Sequence, residues 1–125
     1  MTAKEFITVD NLECMFSDAT YGVDYFTIEI PEGSKQLANT IRKMQPDICR
    51  ETLWAEIVVK GANLTVIDNE DDKKYTINRQ LITERYALWQ EQDPRGYADF
   101  CEETGDAWTA LNWLQIMIFK EIIYA

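Results

Sequence analysis

The last 20 residues carry the longest uninterrupted apolar pattern in the chain. Neither Gly nor Pro occurs between residues 107 and 125. Apolar residues recur at helical spacing along one face: Leu111, Leu114, Ile118 and Ile122. The opposite side is also largely apolar, which is typical of a helix buried in a core. Gly105 and Asp106 precede this segment. Gly105 would adopt the left-handed conformation that ends the previous helix, and Asp106 would cap the next helix. We therefore expect a central core helix over residues 106–125.

Alternation of apolar and polar residues predicts strands earlier in the chain. Phe26, Ile28 and Ile30 alternate with more polar neighbours over residues 23–30, the period of a half-buried strand. Residues 52–60 carry apolar side chains on both alternating faces, which favours a central strand. A turn at 61–63 would join it to residues 64–68 as a hairpin. We expect a third short strand at 75–77. Residues 6–9 favour a short strand or extended arm, with a turn of helix after Asp10 as the alternative.

Helical spacing and capping residues predict three helices besides the last one. Ser34 would cap a helix over 35–44, and Asn78 would cap a helix reaching about residue 92. Asp93-Pro94 would start another, because proline is tolerated in the first helical turn. Its inner face would carry three residues: Tyr97, Phe100 and Cys101. Arg85 falls within the apolar arc of its helix, so we expect its charge to reach solvent or an acidic partner.

The predicted element order is roughly ββαβββααα. Strands that cluster early and helices that follow indicate an α+β fold: an antiparallel sheet with one crossover helix and a C-terminal three-helix segment. The length of 125 residues, the hydrophobic content of 46% and the four tryptophans suit one domain over residues 1–125 with a sizeable core.

Several chemistries lack the residues that they need. The chain has no histidine, which excludes Ser-His and Cys-His catalysis and the usual catalytic zinc sites. Cys14, Cys49 and Cys101 are far apart and form no C-x-x-C pair, which favours a reduced cytoplasmic protein. No apolar run follows Met1, so we expect no signal peptide or anchor. The acidic loop at 68–72 lacks the glycine and the final glutamate of a calcium loop. We expect no enzyme activity, no metal and no cofactor.

The charge balance points to a basic protein partner. The formal net charge is −10, which disfavours direct binding to nucleic acid or to an anionic membrane. Residues 91–106 hold six acidic residues and one basic residue, Arg95. The candidate partner-binding residues in this segment are Glu91, Asp93, Asp99, Glu102, Glu103 and Asp106. A second candidate cluster consists of Asp68, Glu70, Asp71 and Asp72.

These clusters allow more than one interpretation. The ordinary interpretation is that these carboxylates lie on a solvated face. Alternatively, they imitate a phosphate backbone and occupy a groove lined by Lys and Arg. A rival role is a homodimeric assembly module that uses the outer side of the last helix. Its interface residues would be Trp113, Ile116, Met117 and Ile123. A third option is an immunity protein that neutralises a basic toxin nuclease.

In size and acidity, the chain resembles the small acidic inhibitors made by phages and mobile elements, including anti-CRISPR and anti-restriction proteins. Because the resemblance lies in composition, it assigns no functional residue of those proteins to a position in this chain. It implies a non-enzymatic inhibitor that occupies the nucleic-acid-binding surface of a host defence nuclease or complex. For a phage-encoded protein, the place of action would be the host cytoplasm.

Overall fold

Seven α-helices and a three-stranded antiparallel sheet make up the chain, and the computed structural model describes all 125 residues. The helices are α1 (Ala3–Phe6), α2 (Val9–Thr20), α3 (Lys35–Met44), α4 (Arg50–Val59), α5 (Arg79–Gln92), α6 (Pro94–Cys101) and α7 (Ala107–Phe119). The strands are β1 (Phe26–Glu29), β2 (Leu64–Asp68) and β3 (Lys74–Ile77). A short 3-10 turn, Glu32–Ser34, leads into α3. The α+β class is confirmed, and the order is ααβααββααα.

The sheet has β2 at its centre and β1 and β3 at its edges. β1 pairs with β2 so that Phe26 faces Asp68, and β2 pairs with β3 so that Leu64 faces Ile77. Apolar residues on one face are buried against α2, α4 and α7. The predicted strands at residues 23–30, 64–68 and 75–77 are therefore confirmed, although the first is shorter than predicted and spans Phe26–Glu29. The predicted hairpin between residues 52–60 and 64–68 is wrong, since β2 pairs only with β1 and β3.

The prediction of a strand over residues 52–60 is wrong, because residues 52–59 lie in α4 and Lys60 follows its last turn. Leu53, Trp54, Ala55, Ile57 and Val58 are all buried. They point to different sides of the helix, which packs against α2, α3 and β2. The buried residues cover most of the circumference of α4, and a narrow side with Thr52, Glu56 and Val59 is half-buried. So wide an apolar arc shows little helical period, and the same residues also match a strand that is buried on both faces.

The N-terminal residues also form helices rather than the strand that we expected. Thr2 accepts a hydrogen bond from the Glu5 amide, and the Glu5 carboxylate accepts one from the Thr2 amide, which makes a capping box for α1. Thr8 caps α2 by accepting from the Asn11 amide at 3.2 Å. These side chains satisfy N–H groups that have no partner inside a helix. The alternative of a helical turn after Asp10 falls within α2.

α7 is the centre of the core, as its apolar pattern predicts. It packs against α2, α5, α6 and β3, and every residue from Thr109 to Ile118 except Asn112 is buried. Asp106 caps it in a capping box with Thr109. The helix ends at Phe119 rather than at residue 125, because Lys120 adopts a left-handed φ of 66°. The last five residues therefore fold back along α7.

Two predictions about helix ends are corrected, and two are confirmed. Ser34 makes no capping hydrogen bond, and its hydroxyl donates instead to the Asn63 carbonyl at 2.6 Å. The left-handed residue after α6 is Glu103, with a φ of 60°, and not Gly105. Asn78 and Asp93 do cap α5 and α6, by accepting from the amides of Leu81 and Gly96.

Candidate acidic binding surface

The acidic segment from residue 91 to residue 106 runs from the end of α5 through α6 into α7. Glu91, Glu102 and Glu103 are exposed. Asp93 and Asp106 sit at helix N-termini, where each carboxylate accepts backbone hydrogen bonds and opposes the helix dipole. These two have a structural role as well as a negative charge. The three glutamates have no such structural hydrogen bonds, so their carboxylates are free to contact a partner.

Carboxylates in this segment are not neutralised within the protein. The ion pairs of the molecule are Lys35–Glu32, Arg50–Glu51, Lys60–Glu56 and Lys73–Asp71. Only four of the 22 acidic residues are therefore paired, and none of these lies between residues 91 and 106. Even Arg95, within the segment, makes no ion pair. The excess negative charge of the segment is therefore not offset by ion pairs within the protein.

A groove joins this segment to α2. Its volume is about 410 Å³, and its lining includes Asp18 of α2 together with Glu103 and Asp106. Met15 and Phe100 contribute apolar surface. The carboxylates of the α6–α7 connection thus gain a neighbour from a distant part of the sequence. Asp18 is not among the site residues predicted from the sequence, because only the packing of α2 brings it beside the α6–α7 connection.

Two thiols also line this groove. Cys14 lies 3.7 Å from the Asp18 carboxylate, and burial, followed by the charge of Asp18, raises the pKa of its thiol. A raised pKa keeps the thiol protonated and weakly nucleophilic at neutral pH. Cys101 is exposed, as are Cys14 and Cys49. The prediction of Cys101 as a small core residue on the inner face of α6 is therefore wrong.

The second acidic cluster divides between interior and surface. Asp68 is only 3% exposed, and its carboxylate accepts hydrogen bonds from the Tyr124 hydroxyl, at 2.7 and 3.0 Å, and from the Glu70 amide. This hydrogen bond and partial burial raise the pKa of Tyr124 to about 12. Asp71 pairs with Lys73 at 3.9 Å. The prediction that Asp68 lies on an open partner-binding face is corrected by its burial, whereas Glu70 and Asp72 are exposed.

The two clusters line separate cavities. The cavity beside the second cluster has a volume of about 280 Å³ and shares no residue with the groove. Its lining consists of Asp24, Tyr25, Asp68, Asn69, Glu70 and Tyr124. No group of three or more His, Cys, Asp or Glu side chains is arranged to hold a metal ion.

No protein-family model matches this chain, and no curated protein or solved structure is significantly similar to it. None of its helices combines the length and apolar character that crossing a membrane requires.

The residues expected to mediate self-association do not form a surface. Trp113, Ile116 and Met117 are each 0% exposed, because α2, α5, α6 and β3 pack against α7. Only Ile123, at 52%, is exposed. Since a homodimer interface requires accessible side chains, the prediction of an interface along α7 is wrong for the three buried residues. The central-core interpretation of α7 is the correct one.

Proposed function

We propose that the protein is a non-enzymatic acidic binding protein that acts as an inhibitor. Its carboxylates occupy the basic nucleic-acid-binding surface of a host defence protein and exclude the nucleic acid. The binding residues would be Glu91, Asp99, Glu102, Glu103 and Asp106, together with Asp18 across the groove. The proposal places this action in the cytoplasm.

The observation that carries this proposal is the absence of internal ion pairs along residues 91–106. Six carboxylates within sixteen residues repel one another, and none of them forms an ion pair with a Lys or Arg of the chain. A partner lined by Lys and Arg would supply the missing positive charge. Opposite electric fields also speed association, and the contact would weaken as salt screens the charges.

Displacement of nucleic acid tests this proposal. The protein would be titrated into preformed complexes of labelled duplex with a panel of purified basic proteins: CRISPR effector complexes, restriction enzymes and toxin nucleases. Fluorescence anisotropy of the duplex, at low and at high salt, reports its release. We expect release from at least one defence complex in low salt. Release from a toxin nuclease alone would instead support the role of an immunity protein.

A pair of charge-matched variants locates the surface. The site variant carries Glu91→Lys, Glu102→Lys and Glu103→Lys, and the control carries Glu29→Lys, Asp47→Lys and Glu84→Lys. All six positions are exposed, and both variants change the net charge equally. We expect the site variant to bind about tenfold more weakly or worse, and the control to bind less than threefold more weakly, roughly the effect of long-range charge alone. Equal losses in both variants would show that no particular surface is involved.

A further inference from the structure

An aromatic cluster lies on the surface where the first turn of α7 meets the C-terminal segment. Its members are Tyr25, Trp108 and Tyr124, which we call the aromatic platform. The ring centroid of Tyr25 lies 6.1 Å from that of Trp108 and 5.6 Å from that of Tyr124, with which it stacks. Trp108 is 44% exposed, whereas the other three tryptophans are at most 4% exposed. The core therefore does not account for Trp108.

Carboxylates surround one edge of the aromatic platform. The cavity of about 280 Å³ is walled by Tyr25 and Tyr124 and lined by Asp24, Asp68 and Glu70. None of these three acids takes part in an ion pair. Asp68 is almost completely buried, and its carboxylate is held by hydrogen bonds from the Tyr124 hydroxyl and the Glu70 amide, so Asp24 and Glu70 are the carboxylates that a ligand can reach. The cavity thus combines aromatic faces with unneutralised negative charge.

A guanidinium group matches both features of the cavity. It is planar and weakly hydrated, stacks on aromatic rings, and donates two parallel hydrogen bonds to a carboxylate. A lysine ammonium is more strongly hydrated and cannot stack. The base of a nucleotide would suit the rings, but the phosphates of the nucleotide would be repelled by Asp24 and Glu70. An apolar helix would leave the same carboxylates without a counter-charge.

We propose that the aromatic platform and its cavity bind an arginine side chain of the basic partner protein. This inference rests on the proposed function, because it takes the partner to be basic. It adds that the partner docks through arginine rather than through lysine. The aromatic platform also continues the acidic segment, since Trp108 follows Asp106 by two residues in the first turn of α7.

Peptide binding in low salt tests the preference for arginine. Fluorescently labelled oligoarginine and oligolysine of equal length would be titrated with the intact protein. We expect oligoarginine to bind roughly two- to fivefold more tightly, the range for one partly exposed cation–π contact. Trp108 is the one exposed indole, so oligoarginine should also protect the tryptophan fluorescence from acrylamide.

Variants separate the aromatic contribution from that of charge. Tyr25→Leu combined with Trp108→Leu should remove the arginine preference, whereas Tyr21→Leu should retain it, because Tyr21 is 83% exposed and lies outside the aromatic platform. Asp24→Asn combined with Glu70→Gln should weaken the binding of both peptides. Tyr124 stays intact in every variant, since its hydroxyl holds Asp68.

The outcomes distinguish this inference from the proposed function. Equal affinity for the two peptides, or a preference that survives loss of Tyr25 and Trp108, would overturn the arginine site and leave the displacement test unaffected. An arginine preference that depends on Trp108, without displacement of nucleic acid from any member of the panel, would support the docking site and overturn the inhibitor role. If the variant with Tyr25→Leu and Trp108→Leu unfolds, acrylamide quenching of the natural protein still tests the inference. Failure of oligoarginine to protect Trp108 from acrylamide would then overturn the arginine site.

Discussion

At the residue scale, two arginines stabilise helix ends rather than neutralising acids. Arg79 donates to the Val59 carbonyl at 2.9 Å, at the C-terminus of α4. Arg85 donates to the Met117 carbonyl in the last turn of α7. Carbonyls there lack partners within their own helix, and the helix dipole favours a positive charge. This explains how Arg85 is accommodated within the apolar arc of α5 without the acidic partner that we had considered.

Replacing Arg85 by methionine tests this role. Arg85→Met keeps most of the aliphatic side chain but leaves the Met117 carbonyl without its donor, so we expect a loss of about 1–2 kcal/mol in the free energy of unfolding. Urea denaturation measures the change. Arg95→Met is the control, because Arg95 is exposed and unpaired, and it should change stability by less than about 0.5 kcal/mol. Equal effects would show that Arg85 does not act through the helix end.

At the element scale, the C-terminal segment is tied to α7 by one buried side chain. Gln115 is 1% exposed, and its amide oxygen accepts from the backbone amides of Ile123 and Tyr124 at 2.8 and 2.7 Å. Its amide nitrogen donates to the Tyr124 carbonyl at 3.1 Å. These hydrogen bonds place Tyr124 beside Tyr25 and Asp68. The position of the proposed arginine site therefore depends on a single glutamine of the core helix.

Loss of this side chain should release the segment. Gln115→Leu leaves two backbone amides without acceptors, so we expect a loss of about 1–3 kcal/mol in stability. Hydrogen exchange at Ile123 and Tyr124 should become much faster. Asn112→Leu is the matched control on the same helix, because the Asn112 side chain makes no hydrogen bond within the protein and is half-buried. Unchanged exchange at residues 123 and 124 in Gln115→Leu would contradict this role.

At the scale of the whole molecule, two tyrosines couple distant segments and should make stability sensitive to alkali. The Tyr86 hydroxyl contacts the Tyr97 hydroxyl at 2.7 Å and donates to the Met1 carbonyl at 3.1 Å, which fastens the N-terminus to α5 and α6. Burial, followed by the hydrogen bond to Tyr97, raises the pKa of Tyr86 well above its ordinary value. The pKa of Tyr124 is raised to about 12, chiefly by Asp68.

The sign of the pH effect follows from these shifts. Between about pH 10 and pH 12, both tyrosines keep their protons in the folded state and lose them in the unfolded state. Their contribution to stability is therefore complete below about pH 10 and declines as the pH rises toward 12. Urea denaturation across this range should show a shallower decline for Tyr124→Phe. Tyr21→Phe, at an exposed position, should follow the natural protein. Identical curves for all three proteins would refute the coupling.

Local patterns determined much of this protein from the sequence alone. Capping residues placed α5 and α6, because Asn78 and Asp93 act on their own first turns. Period-2 alternation found β1, since each side of an edge strand meets a different environment. The sequence alone also shows the acidity of residues 91–106 and the absence of histidine. The proposed class of partner follows from that charge.

Only the tertiary structure decided the rest, because it depends on which surfaces meet. α4 packs against α2, α3 and β2, and these contacts leave only a narrow half-buried side, which is too little to reveal a helical period in the sequence. Contacts between segments far apart in sequence place Asp18 in the lining of the acidic groove and bury Asp68 against Tyr124. The aromatic platform likewise gathers residues 25, 108 and 124. No local sequence pattern specifies that these residues come together, because their proximity results from the packing of the whole core.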